Sequence, residues 1–185
     1  FTIKSIMENA QTDKNMYKKP NWFLDSIILT LVYKNLYSME IAILALGCFW
    51  GPEKKFGELK GVYKTEVGYC GGKNPKTTYE EVCTGKTNHA EVVKLEYDPK
   101  IISYEQILKY FFEYHDPTTI DSQGPDFGTQ YRSEIFFLNT TQKNIALKII
   151  DSENKRFNGK IVTKISEIKN YCPAEEYHQK YLDKR

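Results

Sequence analysis

Residues 40–70 read EIAILALGCFWGPEKKFGELKGVYKTEVGYC, and this stretch decides the predicted fold. The short apolar run Glu40–Gly47 ends in glycine, which is typical of a buried strand. Apolar residues at helical spacing, with a proline in the first turn, predict a helix over Phe49–Leu59. Apolar and polar side chains then alternate over Gly61–Tyr69, which predicts a second strand. The stretch is therefore a strand–helix–strand unit.

The remainder of the chain continues the alternation of strands and helices. Further strands are predicted over Ala90–Tyr97, Ser133–Leu138 and Ile161–Ile168, and further helices over Tyr104–Tyr114, Thr140–Phe157 and Pro173–Leu182. Long polar loops are predicted over residues 73–88 and 117–132. The order β-α-β-β-α-β-α-β-α predicts an α+β fold. We expect a two-layer sandwich with a ferredoxin-like split βαβ core and an extra C-terminal helix.

The first 38 residues differ from this regular part. They are polar and lysine-rich, and their longest apolar run, Ile27–Val32, is interrupted by Thr30 and is too short to cross a bilayer. They also lack a signal-peptide pattern. We predict that residues 1–38 are an N-terminal extension that is disordered, loosely docked or not native, and that residues 39–185 form one catalytic domain. Met39 is a candidate initiator.

Composition narrows the class of protein. Hydrophobic residues make up 41% of the 185 residues and charged residues 27%, with a net charge of +2, which is an ordinary globular balance. The lysines are scattered, which argues against a nucleic-acid partner. The cysteines form no CxxC pair and no zinc pattern with the three histidines, so we expect no metal and a reducing, cytoplasmic location. They are Cys48, Cys70, Cys83 and Cys172.

Cys48 is the first candidate for chemistry, because it lies between a predicted strand and a predicted helix. The helix dipole there favours negative charge, so we predict a lowered thiol pKa. The alternative is a small buried core residue. The neighbouring Phe49 and Trp50 suit either the core or a pocket, although the indole N–H of Trp50 needs a partner.

Glu91 is the second candidate. Alternation along Ala90–Tyr97 places Glu91 on the same face as Val93, Leu95 and Tyr97. A carboxyl group among apolar residues has a raised pKa and can serve as a general acid. The alternative is a glutamate at the edge of the strand that points to water.

Two further segments carry polar residues that suit catalysis. The loop Gly124–Ser133 contains Asp126, Tyr131 and Arg132, although a solvated loop is the plain interpretation. His178 suits a catalytic base or a surface histidine of the last predicted helix. Cys70 and Cys83 are predicted to be inert thiols.

Several of these stretches together resemble the peptide methionine sulfoxide reductase A family, which acts on the S epimer of the sulfoxide. The matching stretches, in family order, are Gly47–Gly51 with Glu53, Gly68–Tyr69 with Gly71–Gly72, Tyr79–Val92, His115–Thr118, Asp126–Ser133 and Pro173–Gln179. Six such motifs in register are highly specific.

The resemblance implies a role for each residue of the site. The cysteine that matches Cys48 attacks the sulfoxide sulfur and becomes a sulfenic acid, and Glu91 matches the acid that protonates the oxygen. The other matching positions are hydrogen-bond donors to the oxygen (Tyr79 and Tyr131), a further polar group (Asp126) and the walls around the substrate methyl group (Phe49 and Trp50). The family reaction uses no metal, flavin or nucleotide in the enzyme.

Regeneration of Cys48 is left open by the resemblance. Many family members carry recycling cysteines in a tail after the last helix, whereas no cysteine follows Cys172 here. Either Cys172 or Cys70 could form a disulfide with Cys48 that thioredoxin then reduces. Otherwise an external thiol, such as glutathione with glutaredoxin, reduces the sulfenic acid directly. Expected partners are methionine sulfoxide, free or in proteins, and a thiol reductant; no membrane partner is expected, and the enzyme is predicted to be a monomer.

Two alternatives compete with this function. A cysteine hydrolase would need a base paired with its nucleophile, for which Cys48 and His178 are the candidates. A non-catalytic α+β binding module would carry cysteines that are merely buried. Slow alkylation of Cys48 would favour the module.

Overall fold

The computed structural model describes residues 39–185, and the prediction for residues 1–38 lies outside the described residues. The elements in chain order are β1 (Glu40–Leu46), α1 (Trp50–Gly57), β2 (Val62–Cys70), α2 (Tyr79–Cys83), β3 (Ala90–Tyr97), α3 (Tyr104–Tyr114), β4 (Ser122–Gln123), β5 (Asp126–Phe127), β6 (Ser133–Phe137), α4 (Thr140–Arg156), β7 (Lys164–Glu167) and β8 (Cys172–Pro173). A 3₁₀ helix, Thr129–Tyr131, precedes β6.

Six strands form one sheet in the order β7-β6-β1-β3-β2-β8. Within the group β6-β1-β3-β2 each strand pairs antiparallel with the next, and β3 lies between β1 and β2. This arrangement confirms the predicted split βαβ core. The additional strand β7 pairs parallel with β6 after the crossover through α4.

Apolar side chains are buried on both faces of the sheet. On one face, Val93, Leu95 and Tyr97 of β3 belong to the core that includes the apolar side of α3. On the other face, Ala90 and Val92 belong to a smaller cluster with Cys70, Ile43 and Phe136. The predicted alternation along β3 is therefore confirmed.

One helix lies inside a predicted loop. Residues 73–88 contain the five-residue helix α2, which begins with a capping box between Thr78 and Glu81. The Thr-x-x-Glu spacing is the sequence signal for such a start. The same device begins α3, where Ser103 and Gln106 exchange hydrogen bonds as predicted.

The predicted C-terminal helix, Pro173–Leu182, is wrong. Pro173 pairs with β2 as part of β8, and residues 176–183 form turns, with Lys180 at a φ of 52°. Hydrogen bonds from the C-terminal segment, residues 172–185, to β2 and α1 replace those of a helix, so tertiary contacts override the local preference. The last predicted long strand, Ile161–Ile168, is also shorter, at Lys164–Glu167.

Candidate active site

Cys48 lies at the junction of β1 and α1. The preceding residue, Gly47, has a φ of +93°, and a Cβ atom there would lie 2.6 Å from the side chain of Gln123. Only glycine fits this backbone conformation and this close approach. The turn leaves Cys48 half-buried at one end of the sheet.

Burial controls the protonation of Cys48. It raises the thiol pKa to about 11, although the backbone N–H of Trp50 hydrogen-bonds the sulfur and opposes the shift. The nearby charges of Glu91 and Asp126 raise the pKa further. The predicted lowering of the pKa is therefore wrong, because removal from water outweighs the single N–H contact at the helix start. The thiol keeps its proton at neutral pH in the ligand-free protein.

Glu91 lies on β3 with an exposed fraction of only 2%. Its Oε2 accepts a hydrogen bond from the backbone N–H of Phe49 at 3.1 Å, which places the carboxyl group beside the residue that follows Cys48. Burial raises the pKa of Glu91 to about 8, and the charge of Asp126 adds to the shift. The predicted burial and raised pKa of Glu91 are confirmed, and a carboxyl group with this pKa is protonated at pH 7.

Tyr131 and Asp126 approach Cys48 and Glu91 from the loop before β6. Burial, followed by the negative charges of Glu91, Asp126 and Cys48, raises the pKa of Tyr131 to about 12. Asp126 is half-buried in β5 and acts on the pKa of both Cys48 and Glu91. The Tyr131 hydroxyl is therefore a permanent hydrogen-bond donor near the thiol.

Tyr79 occupies the first position of α2. Burial raises its pKa, and a hydrogen bond with the Cys83 thiol and the nearby Tyr131 and Glu91 add to the shift. Its hydroxyl therefore also keeps its proton at neutral pH. The structure brings together Cys48, Glu91, Asp126, Tyr131 and Tyr79, which the sequence spreads over 84 positions.

Phe49 and Trp50 line the same end of α1. Phe49 is 2% exposed, and its ring centroid lies 5.9 Å from that of Tyr69. Trp50 is half-buried, and its Nε1–H donates to Nδ1 of His178 at 3.1 Å. The Tyr181 ring also stacks on the indole, with the two ring centroids 3.8 Å apart. His178 is thus the partner that the Trp50 indole N–H requires.

The prediction that His178 is a surface histidine is wrong. The residue is 2% exposed, and burial lowers its pKa. Among residues 39–185, no hydrogen bond joins a histidine ring to the Cys48 thiol. The histidine–cysteine pair of a hydrolase is therefore not formed.

Three polar residues of the matching stretches, to which the sequence interpretation gave no role, hold the C-terminal segment in place. Glu175 accepts hydrogen bonds from the Tyr69 hydroxyl and the Tyr79 backbone N–H, both at 2.9 Å. Gln179 accepts from the Val67 N–H and donates to the Val67 carbonyl, both at 2.9 Å. The buried Glu53 of α1 accepts from the Lys180 N–H at 2.7 Å. Of these, only Glu175 and Gln179 lie in the Pro173–Gln179 motif, and no local pattern indicates what they contact.

The other cysteines occupy different environments. Cys70 is fully buried, within the cluster on the sheet face opposite Val93, and burial raises its pKa to about 11. Cys172 is half-buried in β8, opposite Tyr69 of β2. Cys83 is exposed on α2, beside Tyr79.

Arg132 and His115 stabilise the loop that carries Tyr131. Arg132 Nε contacts Glu134 Oε2 at 2.5 Å, and both side chains are 6% exposed. Arg132 also donates to the Thr129 carbonyl at 2.8 Å. His115 bridges the Phe111 carbonyl and the Ser133 hydroxyl, and burial lowers its pKa to about 4, so its ring is neutral.

The described part of the chain has neither a metal cluster nor a membrane-spanning helix. Residues 39–185 contain no group of three or more histidine, cysteine or acidic side chains placed to hold a metal ion. No helix over the same residues has the length and hydropathy needed to cross a membrane.

Known proteins resemble the chain over the described region. A family model for peptide methionine sulfoxide reductase matches residues 40–185. A Pelagibacter ubique protein named peptide methionine sulfoxide reductase MsrA is 69% identical over 147 residues, covering 80% of this chain and 100% of that protein.

Solved structures agree with this match. The reduced form of Mxr1 from Saccharomyces cerevisiae superposes with a TM-score of 0.77 at 41% identity, covering 80% of this chain and 86% of that one. Mxr1 in complex with Trx2 gives a TM-score of 0.56 at 27% identity, covering 77% and 84%. The chain therefore belongs to the peptide methionine sulfoxide reductase family, and it is an oxidoreductase.

Proposed function

We propose that the protein reduces the S epimer of methionine sulfoxide, free or in proteins, to methionine. The observation that carries this proposal is the placement of a protonated, buried Glu91 beside Cys48, with the Glu91 pKa raised to about 8. A sulfoxide sulfur becomes electrophilic when its oxygen receives a proton. A thiol next to a carboxylic acid is the pair that such a reduction needs.

The reaction balances with the residues of this site. Glu91 protonates the sulfoxide oxygen, the Cys48 sulfur attacks the substrate sulfur, and the Cys48 proton passes to the carboxylate that Glu91 has become. The attack forms a bond between the two sulfurs. The sulfur–oxygen bond of the substrate then breaks as the protonated oxygen moves to the Cys48 sulfur, and the sulfur–sulfur bond breaks with its electron pair going to the substrate. Methionine leaves, and Cys48 is a sulfenic acid. The methionine sulfur gains two electrons and Cys48 loses two.

The remaining residues of the site bind the sulfoxide oxygen and the methyl group on the substrate sulfur. Tyr79 and Tyr131 donate hydrogen bonds to the oxygen, for which their raised pKa values suit them. Phe49 and Trp50 enclose the methyl group. Burial keeps Glu91 protonated, and the charge of Asp126 raises the pKa of that acid further.

We propose that an external thiol reductant, thioredoxin or glutaredoxin with glutathione, returns Cys48 to the thiol. The complex of the yeast relative with Trx2 supports thioredoxin. Cys172 is the better candidate for an intermediate disulfide, since it is half-buried opposite Tyr69 on the edge of the sheet. Cys70 is disfavoured by its complete burial on the other face. We further propose a cytoplasmic, monomeric enzyme with no bound cofactor.

Consumption of methionine S-sulfoxide with dithiothreitol as reductant tests the function. The wild-type protein and Cys70→Ala should turn over, and Cys48→Ser should not, because serine cannot form a sulfenic acid. Turnover by Cys48→Ser would contradict the proposal, as would an inactive wild-type protein that hydrolyses esters.

A thioredoxin-coupled assay of Cys172→Ser separates the two routes of regeneration. Loss of thioredoxin-dependent turnover, with dithiothreitol-dependent turnover retained, would assign the disulfide to Cys172. Retention of both activities in Cys172→Ser and also in Cys70→Ser would exclude each of these cysteines as the sole obligatory partner and favour direct attack by the external thiol.

A further inference from the structure

His178 lies within the active site, but the proposed reaction gives it no role. Its ring contacts three residues to which that chemistry assigns substrate binding. Ring centroids lie 4.6 Å from Tyr79, 5.1 Å from Phe49 and 5.7 Å from Trp50. A buried imidazole among these residues is positioned to affect how they hold a ligand.

The hydrogen bond with Trp50 fixes the tautomer of His178. Because Nδ1 accepts the indole N–H at 3.1 Å, the ring proton must be on Nε2. Nε2 is buried and has no hydrogen-bond partner among residues 39–185. Burial lowers the pKa of the ring, against the charges of Glu175 and Glu80 that face it. The neutral acceptor form is therefore maintained at neutral pH.

Trp50 is immobilised from two directions by the C-terminal segment. His178 binds the edge of the indole, and the Tyr181 ring stacks on its face with an interplanar angle of 12°. An indole held at its edge and its face cannot tilt without losing one of these contacts. The orientation of Trp50 in turn sets the width of the space next to it.

We propose that His178 is a specificity-determining residue, which holds Trp50 so that the sulfoxide site accepts a methyl group and discriminates against larger alkyl groups. The inference rests on the proposed function, in which Trp50 encloses the methyl group. An additional methylene in a well-defined pocket changes kcat/KM by about 10–200-fold. Release of the indole removes much of that difference, because the wall can move away from the larger group.

The test compares kcat/KM for methionine S-sulfoxide and ethionine S-sulfoxide, with dithiothreitol as reductant. His178→Phe keeps a ring but removes the acceptor, and should lower the methyl-to-ethyl ratio by about tenfold. His178→Asn places an oxygen near the position of Nδ1 and should keep the ratio close to that of the wild-type protein. In a Trp50→Phe background, which lacks the indole N–H, His178→Phe should cause no further change.

An unchanged ratio in His178→Phe would overturn the inference, as would equal changes in His178→Phe and His178→Asn, which would indicate a merely structural role. Nitrogen-15 spectra of the wild-type protein give a second readout that needs no variant. The inference requires an unprotonated Nδ1 and a protonated Nε2 at pH 7, and the opposite tautomer would overturn it. Failure of the wild-type protein to reduce either sulfoxide would instead overturn the proposed function.

Discussion

The two sides of the active site are built in different ways. On the sheet side, Cys48 lies just after β1, and Glu91 belongs to β3. The backbones of these two strands pair in register along Glu40–Leu44 of β1. On the opposite side, the C-terminal segment continues past the two-residue strand β8 without a helix or a further strand. Side chains such as Gln179, Glu175 and Glu53 hold it there.

This difference in construction indicates that the two sides serve different functions. Backbone ladders place Cys48 and Glu91, the proposed nucleophile and acid, whose relative position the proposed chemistry requires to be fixed. Side-chain hydrogen bonds place the C-terminal segment next to Trp50, which we propose encloses the substrate methyl group. Changes on the sheet side should therefore affect the chemical step or global stability, and changes in the C-terminal segment should affect substrate binding and local opening.

The largest effect is expected from Glu91→Gln. Loss of a general acid lowers the rate by about 10²–10⁴-fold, so kcat for methionine sulfoxide should fall by that amount. Because the amide can still accept the Phe49 N–H, the fold should persist. A decrease of less than about threefold, measured at pH 7, would show that Glu91 is not the acid.

The pH dependence of the same variant sharpens this prediction. Glu91 donates only when protonated, and its pKa is about 8. The ratio of wild-type to Glu91→Gln activity should therefore be constant below pH 7 and should fall as the pH rises through about 8. The titration of Cys48 occurs in both proteins and largely cancels in this ratio. A ratio that rises with pH would contradict the assignment.

The next effect is expected from Glu134→Gln, on the sheet side. The change leaves the buried Arg132 without its carboxylate and weakens the contact from the Ser166 hydroxyl, which lies 2.6 Å from Glu134. Breaking a buried ion pair costs about 3–5 kcal/mol in the free energy of unfolding. Urea unfolding should show this loss, whereas Glu167→Gln, at an exposed position of β7, should leave the free energy unchanged.

A smaller and more local effect is expected from Gln179→Leu. The variant loses the carboxamide hydrogen bonds to Val67 and to the Ala174 carbonyl, at a cost of about 1–3 kcal/mol. The Val67 amide should exchange its hydrogen faster, and KM for methionine sulfoxide should rise more than kcat falls. Uniformly faster exchange along β1 and β3 would instead show that the segment and the sheet open together.

The smallest effect is expected from Lys184→Ala, which serves as the matched control in the same segment. Lys184 bonds to the carbonyl and the carboxylate of Glu176, whose side chain is 89% exposed. Exposed ion pairs contribute about 0–1 kcal/mol. Exchange at Val67 and the KM value should match those of the wild-type protein.

The sheet side could be predicted from the sequence because its signals are local. The alternation of side chains around Glu91 predicts which face of the strand Glu91 lies on. The apolar run before Gly47 predicts the strand that precedes Cys48. The raised pKa of Glu91 follows from that face. The pKa of Cys48 could not be obtained in this way, because it depends on the burial of the thiol in the folded chain and on the charges of Glu91 and Asp126, which are distant in sequence.

The opposite side, formed by the C-terminal segment, could not be predicted because its contacts join residues that are far apart in the sequence. The pattern over Pro173–Leu182 is compatible with a helix, and contacts such as the hydrogen bonds of Gln179 with Val67 show why it does not form one. The burial of His178 similarly depends on Trp50, 128 positions earlier. The requirement of the indole N–H for a partner was visible in the sequence, but the identity of that partner was not.

The carboxamide of Gln179 also has a consequence for the behaviour of the protein at high concentration. Strand β8 covers the edge of β2 only at Gly68 and Tyr69, and Gln179 together with the Ala174 N–H occupies the backbone groups of Val67 next to it. An uncovered sheet edge is a template for a strand from another molecule and promotes aggregation. The segment that holds Trp50 therefore also blocks the growth of the sheet from one molecule into the next.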